Sequence, residues 1–123
     1  MSKANISMMT LTVIATAAVV ANRCITLAGA YPAAAGLALG VTRSNGAIGD
    51  ALPVDVLGTA ILEAGAAITA GATLMVGADG KVITHDNDGD KHAVGRALEA
   101  AAGDGSLLEV LLVPSAGLLV TAV

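Results

Sequence analysis

Glycine punctuates this chain so often that little room is left for a long helix. Gly29, Gly36, Gly40, Gly46, Gly49, Gly58, Gly65, Gly71, Gly77, Gly80, Gly89, Gly95, Gly103 and Gly105 recur at short intervals, with short apolar segments between them. A glycine inside a helix costs about 1 kcal/mol relative to alanine, whereas glycines between apolar runs mark turns between strands. The pattern predicts an all-β fold, a small single-domain β-barrel or β-sandwich of short strands with an extended N-terminal segment. At 123 residues the chain suits one domain. Its expected organisation is an N-terminal arm or first strand over 1–20, a β domain over 21–114 and a C-terminal tail over 115–123.

Within that frame, Arg23 to Ala28 and Leu37 to Thr42 read as strands. From Leu52 to Val56, apolar residues alternate with Pro53 and Asp55, so one face packs while the other meets water. Pro53 lacks a ladder donor and favours an edge or a strand start. Thr73 to Val76 and Lys81 to Thr84 flank Asp79-Gly80, a pair that tolerates the positive φ angles of a tight hairpin. Leu107 to Val113 is apolar on both faces except at Glu109, as in a strand central to a sheet, and Pro114 ends it. Ala93 to Ala102 has high helix propensity, but Gly95 interrupts it and no capping box precedes it, so strand is preferred. Arg96 then needs a rim position or an acidic partner. Met8 to Val20 fits an irregular arm, a strand or a short alanine-rich helix.

Composition narrows the partners. Hydrophobic residues make up 55% of the chain before glycine is counted, and charged residues only 13%, against about 25% in an ordinary soluble domain. So few charges cannot cover the surface of a small domain, and some apolar surface is expected to meet another subunit. Tyr31 is the one aromatic residue and the net charge is −4. Neither base stacking nor phosphate tracking is well served, so nucleic acid is not an expected partner. Cys24 is the only cysteine, which excludes an intramolecular disulfide and reads as a small buried hydrophobe. The run Met8 to Ala21 imitates a signal peptide only faintly, being broken by Thr10, Thr12 and Thr16, and export is not expected. It is also too short to span a membrane.

Candidate chemistry is sparse. His85-Asp86-Asn87-Asp88-Gly89-Asp90-Lys91-His92 groups carboxylates and imidazoles, yet it misses the calcium-loop pattern and reads as a solvated loop. Ser115 lacks the nucleophile elbow, and Asp50 with Asp55, or Glu63 with Glu99, read as surface charges. No catalytic residue, metal ligand or cofactor-binding residue is assigned, and no enzyme activity is expected. The candidate interface is Met8, Met9, Leu11, Val13 and Ile14, in an apolar run with no charge between Lys3 and Arg23. Met adapts well to irregular partner surfaces.

An ordered series of segments adds a family likeness. It runs from Asn22-Arg23-Cys24-Ile25-Thr26-Leu27 and Gly36-Leu37-Ala38-Leu39-Gly40-Val41 to Gly49-Asp50-Ala51-Leu52-Pro53-Val54 and Gly58-Thr59-Ala60-Ile61-Leu62-Glu63-Ala64-Gly65. Ala66-Ala67-Ile68-Thr69-Ala70-Gly71, Val94-Gly95-Arg96-Ala97-Leu98-Glu99-Ala100-Ala101 and Glu109-Val110-Leu111-Leu112-Val113 complete it. In this order the chain resembles the capsid-cement, or head-decoration, proteins of tailed bacteriophages. The resemblance implies a compact β domain, a homotrimer, seated on the exterior of an expanded capsid and bridging subunits of the major capsid protein. It further implies synthesis in the host cytoplasm and residence in the virion. The segment before Ala21 and the tail from Ser115 depart from the family pattern. The rival expectation is a secreted or surface β module of adhesin type, which would need export.

Overall fold

A computed structural model describes residues 5–86 and 91–113. It contains eight strands: β1 (Ser7–Ile14), β2 (Cys24–Ile25), β3 (Gly40–Thr42), β4 (Ala51–Glu63), β5 (Thr73–Val76), β6 (Val82–Thr84), β7 (Gly95–Ala97) and β8 (Leu107–Leu112). The described residues hold no α-helix, only a 3-10 turn over Ala78–Gly80. Strand order is β2-β3-β4-β8-β7-β5-β6, with β1 also paired to β4, and every ladder is antiparallel.

The long strand β4 organises the molecule. Its first part, from Ala51 to Gly58, pairs with β1, and its last part, from Thr59 to Glu63, pairs with β8. Gly58 stands at the changeover with φ of 101°. A Cβ there would lie 2.3 Å from the carbonyl oxygen of Ile6, so a larger residue would push β1 off the strand. Beyond β4, Ala64 bridges Val82 in parallel, and the Gly65 amide donates to the Val82 carbonyl at 2.8 Å. That bridge brings β6 back beside the end of β4, and β4-β8-β7-β5-β6 becomes a nearly closed barrel. Closure leaves few unpaired backbone groups along these strands.

Two apolar clusters fill the fold. Leu62, Leu74, Val76, Val82, Leu108 and Val110 line the barrel interior, and Cys24 and Val41 extend this cluster. Leu62, Leu74 and Leu108 are wholly buried, which is worth about 1.5–3 kcal/mol for each side chain. The second cluster, Val13, Ala15, Val19, Ile25, Leu52, Val54 and Val56, lies under the β1–β4 ladder. Tyr31 packs against it, and its hydroxyl accepts from the Val20 amide at 2.8 Å.

The hairpin expected over Thr73 to Thr84 forms with Leu74 opposite Thr84 and Val76 opposite Val82. Asp79 (φ 54°) and Gly80 (φ 75°) both take the positive φ that the pair was expected to supply. β8 lies between β4 and β7, as its two-sided apolarity implied. Residues 93–102 form β7 and loops instead of a helix, and Arg96 is exposed, its Nε donating to the Gly71 carbonyl at 3.2 Å. Other expected strands change length. β2 stops at Ile25 because the chain turns at once, the Thr26 amide donating to the Ala30 carbonyl at 2.9 Å. β4 runs well past Val56 because Gly58 is accommodated inside the strand instead of ending it.

Candidate functional site

The strand β1 pairs with β4 from Ser7↔Gly58 to Ile14↔Ala51, with register shifts on both sides of Met9. No other strand among the described residues pairs with its far edge. Of the five residues expected at an interface, Val13 is 5% exposed, faces Leu52 and belongs to the inner cluster. Met8 is 74% exposed, and Met9, Leu11 and Ile14 are exposed too. Leu57, directly opposite Met9, is another exposed apolar side chain. The strand SMMTLTVI therefore presents apolar side chains to solvent and carries no charge.

Behind this strand sits a polar anchor that sequence reading placed on the surface. Asp55 is 1% exposed. Its Oδ1 accepts from the Thr10 hydroxyl at 3.0 Å, its Oδ2 accepts from Asn5 Nδ2 at 3.1 Å, and Arg43 Nε lies 3.5 Å from Oδ2. A carboxylate can be buried here because two donors from the N-terminal segment and the nearby Arg43 charge replace its water. Glu63 is not a free surface charge either: Arg23 Nη2 lies 3.1 Å from Oε1 and Lys81 Nζ 3.5 Å from Oε2. Hydrogen bonding to Asp104, followed by the other contacts with Asp104 and Glu63, raises the Lys81 pKa against the effect of desolvation.

The remaining candidates resolve differently. Cys24 is buried, and desolvation pushes its thiol up to about 12, so it is not poised as a nucleophile. His85, read as part of a solvated loop, is 4% exposed. Its amide continues the β5–β6 ladder by donating to the Thr73 carbonyl at 2.8 Å, and its Nε2 lies 3.1 Å from the Lys91 carbonyl oxygen. Asp86 pairs with Lys91. Residues 87–90 lie outside the described residues, as do Ser115 and the tail over 115–123. Among the described residues no group of three or more His, Cys, Asp or Glu is placed to hold a metal ion.

The fold is thus a small, nearly closed barrel carrying an outer strand with exposed apolar side chains. The chain belongs to the phage cement protein family, whose family model matches residues 3–113. It is a capsid-associated structural protein of the virion. Among solved structures it is similar to the head fiber gp8.5 N base of bacteriophage phi29, with a TM-score of 0.70 and 24% identity. That match covers 85% of this chain and 93% of the other, and shows the common fold. No curated protein matches the chain.

Proposed function

We propose that the protein, as a homotrimer, seats on the exterior of an expanded capsid and bridges neighbouring subunits of the major capsid protein. The observation that carries this reading is the exposure of Met8, Met9, Leu11 and Ile14 on an uncharged strand. Val13 supports that strand from behind. Apolar side chains lined up along a strand gain free energy when a partner covers them, and a strand edge can also pair with a partner's backbone. Binding to the assembled shell alone shifts the assembly equilibrium towards it, and repetition around a symmetry axis adds avidity. The role requires neither catalysis nor a cofactor, and neither nucleic acid nor membrane is a partner. Synthesis in the host cytoplasm follows from the same reading.

Co-sedimentation of purified protein with expanded capsid shells tests it. Saturable binding and a raised shell melting temperature are the expected results. Shells that sediment without the protein, and melt unchanged, would refute the proposal.

A further inference from the structure

The outer edge of β1 carries none of the features that keep sheet edges from sticking. Lysine, proline or a covering segment usually blunts such an edge, and β1 has neither a charge nor a proline. Hydrogen-bonded pairs alternate along an antiparallel ladder with pairs that turn their backbone groups outward. Thr12 stands opposite Pro53, which has no N–H and whose carbonyl accepts from the Arg43 amide at 3.1 Å on the β3 side. The amide and carbonyl of Thr12 therefore face the outer edge, and by alternation so do those of Thr10. The Thr16 amide obeys the same alternation: it donates outward to the Gly29 carbonyl at 3.0 Å, and Gly29 closes the edge beyond Ile14. Leu11 supplies a second sign. It shares the inner face of the ladder with Val13 yet is 40% exposed, so the inner layer is open beside it.

Topology brings one segment of the chain to this edge. β1 and β3 pair with the same stretch of β4, at Val54 and Asp55, and so lie on opposite sides of it. β8 is on the side away from β3, which puts β8 and β1 end to end along one side of β4. Both run antiparallel to β4, so β8, which reaches Thr59, points at the start of β1 opposite Gly58. Val113 delivers the chain there, its amide donating to the Val94 carbonyl at 3.2 Å, beside an apolar cleft it shares with Leu39 and Val56. The sequence goes on as Pro114-Ser115-Ala116-Gly117-Leu118-Leu119-Val120-Thr121-Ala122-Val123, with no charge and a β-compatible run from Leu118. We propose that residues 118–123 of the same chain add to the outer edge of β1 as a parallel strand in the unassembled protein and guard it until a shell subunit displaces them; the displacement rests on the capsid-binding reading above. Residues 114–123, at about 3.3 Å each, reach roughly 33 Å, and Ser7 to Val13 spans only about 23 Å, so the segment reaches without a turn. Pro114 and Gly117 fall in the step across, where neither has to pair. Either face of the added strand brings a leucine and a valine to the layer beside Leu11. Attachment a few residues away gives the segment an effective concentration that a free partner strand has to exceed.

Amide exchange on the full-length protein tests the pairing. Thr10 and Thr12 should exchange slowly, as Leu11 and Val13 do through their bonds to β4. Val120→Asp puts a charge into the added strand, and Val120→Pro breaks it. In each variant, with the cooperative unfolding transition retained, Thr10 and Thr12 should exchange about tenfold faster or more, with Leu11 and Val13 unchanged. Fast exchange at Thr10 and Thr12 in the wild-type protein, or no change in the variants, would overturn the proposal. In a mixture of isotope-labelled and unlabelled protein, contacts between residues 118–123 and β1 should arise within one chain, and contacts only between copies would overturn it too. Both variants should bind capsid shells several-fold more tightly, and wild-type or weaker affinity would overturn the guarding role. Shells that bind neither the wild-type protein nor the variants would instead strike the capsid reading, and the exchange data would still decide the pairing.

Discussion

Arg23 holds Glu63 through two nitrogens, Nε at 3.2 Å and Nη2 at 3.1 Å, while its Nη1 donates to the Asp79 carbonyl at 3.0 Å. One guanidinium thus joins the chain before β2, the end of β4 and the turn of the β5–β6 hairpin. It sits where Ala64 bridges Val82, so it braces the seam that closes the barrel.

Glu63→Gln keeps the shape and removes the charge that Arg23 and Lys81 share. The pair is partly shielded from water, so the loss should exceed that of an exposed ion pair, at about 1–3 kcal/mol. Urea denaturation should show a lower midpoint with an unchanged slope. An unchanged midpoint would show that the seam does not depend on this charge.

Gly58→Ala places a methyl group against the Ile6 carbonyl at a residue with φ of 101°. The expected cost is above about 1 kcal/mol. Amide exchange should rise selectively along β1, since the barrel strands do not share the contact. Uniform wild-type protection would contradict the close approach.

The Cys24 thiol should resist a neutral-pH alkylating reagent in the folded protein and react fully in denaturant. Its pKa rises from an ordinary 9.0 to about 12 through desolvation. The unfolded chain therefore loses this proton first, and the stabilising contribution is complete below pH 9 and lost as pH rises from 9 towards 12. Cys24→Ala should flatten that part of the stability profile.

Met8→Lys and Val13→Ala separate the two faces of β1. The first alters an exposed side chain, should change stability by less than about 0.5 kcal/mol, and should weaken shell binding. The second opens space in the inner cluster and should cost about 1–3 kcal/mol. Equal effects of the two on melting would contradict the burial difference.

Local chemistry made part of this fold readable. Asp79-Gly80 announces its own turn, and Leu107 to Leu112 is too apolar on both faces for an edge. The burial of Val13 was hidden because Leu11, two residues earlier on the same face of a regular ladder, is exposed, so what covers the face decides burial there and alternation alone does not. Asp55 was hidden for another reason. Its partners Thr10 and Asn5 lie 45 and 50 residues away in sequence, and a lone aspartate in an alternating strand looks like any solvated one.

The continuity of β4 has a mechanical consequence. The same backbone pairs with β1 over its first part and belongs to the barrel over its last. A pull directed along β1 strains its seven paired positions together, in shear, instead of unzipping them one after another. The load then passes through covalent bonds into the barrel wall, so tension at the outer strand reaches the rigid end of the molecule without crossing a loop.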